Sequence, residues 1–213
     1  VHALHSDLFG DTSLCFTGDA KFLEQGDVDV VFLCLGHGES DAFLKEHAPA
    51  ASVCIIDLAN DHRLKAQAQR GARTFIYGLP ELNRDLIRKA KSVANPGCFA
   101  TTLQLGLLPL AAAGLLEEVY TTGITGSTGA GQSLSATSHF SWRSGNIQAY
   151  KTLSHQHIGE IMQSLRQLQS NKECNVHFIP WRGDFTRGIF ISSQLRCSVS
   201  LDELYNRFEK FYQ

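Results

Sequence analysis

The sequence predicts an α/β protein, with a doubly wound, largely parallel sheet over residues 1–116 and an α+β unit over 117–213. Three observations carry this. Apolar, β-branched runs end in glycine or polar clusters, as strands buried in a parallel sheet do. Those runs alternate with segments of helical spacing. Beyond about residue 117 the rhythm changes to long strands, a Gly/Ser/Thr-rich loop and two amphipathic helices.

DVDVVFLCLG (27–36) reads as a strand buried on both faces, and ESDAFLKEHA as the helix after it, closed by Pro49. SVCIIDL is a second buried strand running into the polar ANDHR. LKAQAQRGA is a short helix-like stretch, TFIYGLPEL a strand entering a turn, LNRDLIRKA a helix, and KSVANPG a strand entering a loop. CFATTLQLGLLP continues as a buried helix through Phe99, Leu103 and Leu107, with Pro109 expected to kink or end it. EEVYTTGIT is a strand. HQHIGEIMQSLRQL is an amphipathic helix with Ile158, Ile161, Met162, Leu165 and Leu168 on one face. NVHFIPW and RGIFISSQLRCSV are strands, and LDELYNRFEKFYQ is a helix striped by Leu204, Phe208 and Phe211.

With 43% hydrophobic and 19% charged residues, the chain is able to bury a real core. A net charge of −2 offers no electrostatic footprint for a nucleic acid or an anionic membrane. No apolar run reaches the roughly 18–20 residues of a membrane helix, and VHALHSDLFG lacks the pattern of a signal peptide. The six cysteines form no CxxC pair, so reduced thiols and a cytoplasmic location are expected. Cys34, Cys54 and Cys197 lie in strand-like runs and are expected to be buried and inert.

Asn95-Pro96-Gly97-Cys98 reads as a helix start, with Asn95 as N-cap and Pro at the first helical position. Cys98 then falls near the third helical position, where unpaired N–H groups and the helix dipole favour a thiolate. Locally, a packed filler and a nucleophile remain equal readings. A thiolate nucleophile needs a proton partner, and His155 and His157 stand together at the start of a later helix. A solvated helix start explains a His pair as well. A metal site is disfavoured, because no cysteine or acid nearby has zinc-like spacing. The loop Gly126-Ser127-Thr128-Gly129-Ala130-Gly131 and the turn Gly36-His37-Gly38 offer backbone N–H groups to an anion, but neither has the full dinucleotide fingerprint.

Taken together, VDVVFLCLGHGES, IIDLANDHR, YGLPELNR, VANPGCFATTLQLGLLPL, ITGSTGAG, SHFSWR, HQHIGEI and RGDFTRGIF, in that order, resemble the N-acetyl-γ-glutamyl-phosphate reductases of arginine biosynthesis. The resemblance spans nearly the whole chain. It implies a partial Rossmann-type NADP-binding domain, followed by a substrate and dimerisation domain of the glyceraldehyde-3-phosphate dehydrogenase-like type. It further implies Cys98 as nucleophile on an acyl phosphate, His155 as acid/base, and NADP(H) as cofactor near Gly36, His37, Ser127, Gly129 and Ala130. Arg187, Arg63, Asn95 and His157 are implied as substrate-binding, with Arg143 a further guanidinium to weigh. A cytoplasmic homo-oligomer, dimer or tetramer, follows from the same resemblance.

The chain departs from the family pattern in having no opening strand with a glycine-rich loop, in a short C-terminus, and in Gln132 where an Arg is common. The 213-residue chain is therefore expected to be truncated at both ends and to show no NADPH-dependent turnover by itself. Succinyl-glutamyl and aspartyl phosphates are alternative substrates. A cysteine hydrolase or acyltransferase, or a non-catalytic module on the same fold, are the rival classes.

Overall fold

In a computed structural model, residues 12–13, 15–131 and 133–213 are described, so the opening VHALHSDLFG and Gln132 lie outside the described residues. After a short helix α1 (Lys21–Gln25), strand β1 (Val30–Leu33) leads to α2 (Glu39–Glu46), β2 (Cys54–Asp57) and a small hairpin β3 (Gln69–Arg70) and β4 (Arg73–Thr74). Next come β5 (Ile76–Tyr77), α3 (Pro80–Ile87), β6 (Ser92–Ala94) and the long helix α4 (Cys98–Ala112). β1, β2, β6 and β5 form one parallel sheet in that order.

β7 (Glu118–Thr125), α5 (Phe140–Arg143), β8 (Gln148–Ala149), α6 (His157–Leu168), β9 (Asn175–Arg182), β10 (Ile189–Leu195) and α7 (Leu201–Phe211) complete the chain. The second sheet runs β10-β7-β9-β8, with only β7 and β9 parallel. Helices α4 and α6 pack on one face of this sheet around Phe99, Leu103, Leu107, Ile161, Leu165 and Phe178, the larger of two cores. Leu204, Phe208 and Phe211 of α7 pack against its margin.

Several expectations change in three dimensions. Among the described residues β1 is not buried on both faces: it pairs with β2 alone, leaving Val30 46% and Phe32 61% exposed. Cys34 and Cys197 are exposed and Cys54 half-buried, while Cys174 is the buried thiol. LKAQAQRGA forms only a 3-10 turn (Lys65–Gln67) before the β3–β4 hairpin. Pro109 does not stop α4, which runs on to Ala112. A proline cannot donate to the carbonyl four residues back, and here that carbonyl, Leu105, accepts the Tyr212 hydroxyl from beyond the end of α7.

Candidate active site

The cysteine turn starts where β6 stops. Asn95 extends the strand by donating its N–H to the Asp57 carbonyl, 2.8 Å away. It therefore does not cap α4. Gly97 does, in an extended conformation, and its carbonyl accepts the first helical N–H, from Thr101. Cys98 thus stands at the first helical position rather than the third, solvent-exposed. The Thr101 and Thr102 hydroxyls back-bond to the Gly97 and Cys98 carbonyls at 3.0 Å and fix the first turn. Position 97 has room only for glycine, since a Cβ there would lie 2.3 Å from His157 Nε2.

Cys98 opens into a cleft of about 370 Å³ between the two sheets. His37, Arg63, Gly129, Ala130, His155 and His157 line it with Cys98, so most of the residues singled out from sequence meet there. Tyr150, Lys151 and Arg182 line it as well. Strand β9 brings in this last group: Tyr150 and Leu153 donate their N–H groups to the Pro180 and Phe178 carbonyls, which lays the segment before His155 along the strand. That segment is strained, with Lys151 and Leu153 in the left-handed region at φ 45° and 57°.

Neither histidine is a solvated helix-start residue; His155 is 4% and His157 6% exposed. His155 packs edge-on against Phe99, Tyr150 and Phe178. Its Nδ1 accepts the His157 backbone N–H at 3.3 Å, which places the proton of the neutral ring on Nε2. Burial, helped by neighbouring His157 and Lys151, pushes His155 down to about 4. His157 falls to about 4 as well, through burial first and then the Arg63 charge. Burial pushes Tyr150 up, with Arg182 opposing and Cys98 adding to the shift.

The arginines sort by what they touch. Arg187 is exposed and lies outside the cleft lining. Arg143 is buried and held by the Thr137, Asn146 and Arg182 carbonyls. Arg63 lines the cleft, but its nitrogens bond the Asn95 carbonyl (2.8 Å), Glu160 Oε1 (3.1 Å) and the Leu58 carbonyl (2.9 Å). The Asn95 side chain donates to the Pro96 carbonyl and, like Ser127 and Gly36, is not among the residues lining the cleft. Sequence reasoning missed Arg182. Its guanidinium sits 4.8 Å over the Tyr150 ring and its buried Nε has no partner among the described residues. The Arg-Gly pair at 182–183, repeated at 187–188, was the available signal.

The turn after β1 does not make a phosphate cradle. Its Gly36 N–H goes to Glu39 Oε2 (2.9 Å), and the Gly38 and Asp41 N–H groups go to the two oxygens of Asp61. Carboxylates already fill that helix start and would repel a pyrophosphate. His37, Gly129 and Ala130 instead line the cleft with Cys98.

No described helix is long and apolar enough to cross a membrane. The model of the semialdehyde dehydrogenase NAD-binding domain matches residues 3–90, and that of the semialdehyde dehydrogenase dimerisation domain matches residues 98–213. Proteins named N-acetyl-gamma-glutamyl-phosphate reductase are similar along nearly the whole chain. The one from Flavobacterium johnsoniae is 51% identical over 98% of this chain and 63% of its own length. Those from Phocaeicola vulgatus (49%; 98% and 63%) and Christiangramia forsetii (45%; 100% and 64%) are comparable. The chain therefore spans about 63% of the length of the curated relatives it matches. Among solved structures, aspartate semialdehyde dehydrogenase II from Vibrio cholerae superposes with a TM-score of 0.67 at 16% identity, over 93% of this chain and 67% of that one. The Candida albicans aspartate semialdehyde dehydrogenase with NADP superposes at 0.59 and 16% identity, over 89% and 56%. At such identities these neighbours speak for the fold alone. With a family model covering more than half of it, and its cysteine helix opening that matched region, the chain belongs to the semialdehyde dehydrogenase family.

Proposed function

We propose that the protein is an NADP-dependent N-acyl-γ-glutamyl-phosphate reductase of arginine biosynthesis, converting N-acetyl-γ-glutamyl phosphate to N-acetylglutamate 5-semialdehyde and phosphate. The observation that carries this reading is the exposed thiol of Cys98 at a helix start, in one cleft with two buried histidines, in a chain up to 51% identical to proteins of that name.

As the thiolate, Cys98 Sγ attacks the acyl carbon; the new C–S bond replaces the C–O bond to phosphate, which departs with the electron pair. The hydride that reduces the resulting thioester is the chemistry a nicotinamide cofactor supplies when bound, with His37, Gly129 and Ala130 as its neighbours near the thiol. His155 carries its proton on Nε2 and stays neutral at working pH, so it donates a hydrogen bond to the oxyanion of the thiohemiacetal. As that oxyanion collapses to the aldehyde, the C–S bond breaks and Cys98 Sγ leaves as the thiolate. The strained segment ending at His155 holds the ring in that pose.

For the substrate's anionic groups the geometry favours Arg182 and Lys151. Arg187 is exposed and outside the cleft lining, and Arg63 is already committed to protein acceptors. The division of labour near residue 117 is part of the same reading, since the second sheet begins at Glu118. So is homo-oligomer assembly, in which a second copy covers the outer face of that sheet, where Tyr120, Ile179 and Phe190 are exposed. Six free cysteines suit a cytoplasmic enzyme.

The test is to incubate the full-length protein with N-acetyl-γ-glutamyl phosphate and NADPH, with the succinyl and aspartyl analogues in parallel. Aldehyde formed in step with NADPH oxidation, fastest for the acetyl compound, is expected. Hydrolysis without NADPH consumption would convert the reading to that of a cysteine hydrolase.

A further inference from the structure

Three stretches far apart in sequence, YGLPE, NPGC and HQHIGE, converge on one buried carboxylate. Glu160 is 3% exposed and lies on the first turn of α6. Its Oε2 accepts the Tyr77 hydroxyl and the Gly97 backbone N–H, both at 2.9 Å. Its Oε1 accepts Arg63 Nη1 at 3.1 Å. Arg63 in turn donates from Nε to the Asn95 carbonyl. From the other side, Gln104 of the cysteine helix donates to the Tyr77 oxygen at 2.8 Å, leaving that hydroxyl's proton for Glu160.

We propose that Glu160 is a positioning residue for Cys98: with Arg63 and Tyr77 as its partners, it clamps the Asn95-Pro96-Gly97 turn and so sets the direction from which the thiol enters the cleft. This rests on the reading of Cys98 as the nucleophile. Two other duties fit poorly. His157 Nε2 is 3.8 Å from Glu160 Oε1, too long for a hydrogen bond, so the pair is not a proton relay. All three donors to Glu160 come from the protein, and Glu160 is buried and not among the residues lining the cleft, so it is not placed to bind a substrate group.

The clamp acts where leverage is greatest. The Gly97 N–H belongs to the residue that caps α4, and the peptide that follows carries Cys98. Rotating it by a fraction of a radian moves Sγ by about an ångström, a displacement that alone costs roughly a hundredfold in rate. Burying a carboxylate is tolerated because Arg63 supplies the opposite charge and two neutral donors complete its shell.

The test is Glu160→Gln in the full-length protein, with folded active sites counted by stoichiometric alkylation of Cys98. A glutamine keeps the shape but offers one acceptor oxygen to three donors and leaves Arg63 without its counter-charge. Turnover per alkylatable Cys98 is expected to fall roughly 10–100-fold with KM within about threefold. Hydrogen exchange at the Gly97 amide is expected to accelerate at least about tenfold. Tyr77→Phe removes one donor, keeps the Arg63–Glu160 pair, and moves both readouts less in the same direction. It also serves where Glu160→Gln fails to fold. A folded variant with unchanged turnover and unchanged Gly97 exchange overturns the proposal. The exchange readout needs no substrate: faster Gly97 exchange in a protein whose wild type makes no aldehyde supports the clamp and rejects the reductase reading.

Discussion

Two buried carboxylates, Asp57 at the end of β2 and Glu160 beside the cleft, are built alike and used differently. Asp57 is 0% exposed and takes three hydrogen bonds, from Ser40 Oγ (2.7 Å), Ala59 N–H (2.9 Å) and His62 Nδ1 (2.7 Å). Glu160 also takes three, but one comes from a guanidinium and one from the backbone next to the thiol. His62, stacked on Phe75, is sealed in with its acid. His155 and His157 are not bonded to Glu160 and line the cleft instead. The same device therefore closes a loop around Asp57 and, on the proposed reading, aims the Cys98 thiol from Glu160. Consecutive residues join the two, with His62 turned to Asp57 and Arg63 turned to Glu160.

The comparison breaks most sharply at the thiol itself. Cys98→Ser is expected to lower turnover at least about a thousandfold while leaving the thermal midpoint nearly unchanged, because the side chain is exposed. Normal turnover by that variant would remove Cys98 from the chemistry. Gly97→Ala comes next. The new methyl would collide with the buried His157 ring, so about 1–3 kcal/mol of stability and much of the turnover are lost together in urea titration and assay. Should the variant retain both, the contact between position 97 and His157 is looser than described.

Asp57→Asn sharpens the contrast. Stability falls by about 1–3 kcal/mol, since a hydrogen-bonded buried group is disturbed, but turnover per folded molecule stays within about twofold. A large loss of turnover in the folded fraction would show that the two clusters are one functional unit.

The smallest effect separates them by pH. His155 and His157 titrate near 4 when folded against 6.5 ordinarily, so the unfolded chain takes up protons first, and their contribution to stability is lost as pH falls from about 6.5 towards 4. Burial works against charge at Asp57, yet the His62, Ser40 and Ala59 bonds outweigh it and hold the carboxyl below 3.8. Its contribution is present above 3.8 and fades only as pH falls through that lowered value. Urea midpoints measured from pH 8 to 3 should show two separate declines, with His155→Asn softening the first and Asp57→Asn the second. A single decline that neither substitution alters would contradict the assignment.

Local physics made much of this molecule legible. The 3.6-residue stripe of 157–168 and the apolar run of 98–112 are helices because their own residues demand it, and Ile161, Leu165, Phe99 and Leu103 are buried as the spacing predicts. Cys98, His155 and His157 were readable as candidates because their side-chain chemistry is rare and their motifs are ordered. The failures lie where distant segments decide. Asn95 is a good N-cap by type, but β2 claims its N–H and Gly97 takes the cap. Pro109 is a helix breaker by type, but Tyr212 supplies a donor to the carbonyl it orphans. Arg63 and Arg187 have the right chemistry for an anion, whereas Arg182 is the one left with an unpartnered nitrogen beside the cleft.

By itself, then, the sequence determined the type of the longer helices and strands, the alternation that makes a parallel sheet, and which side chains are able to react; these follow from side-chain chemistry and short-range periodicity. Only the tertiary structure decided that β1 pairs with β2 alone among the described residues, which arginines line the cleft, and what holds the cysteine turn. Those depend on contacts such as Gly97 with Glu160, 63 residues apart, whose energy exists only after the chain has closed on itself.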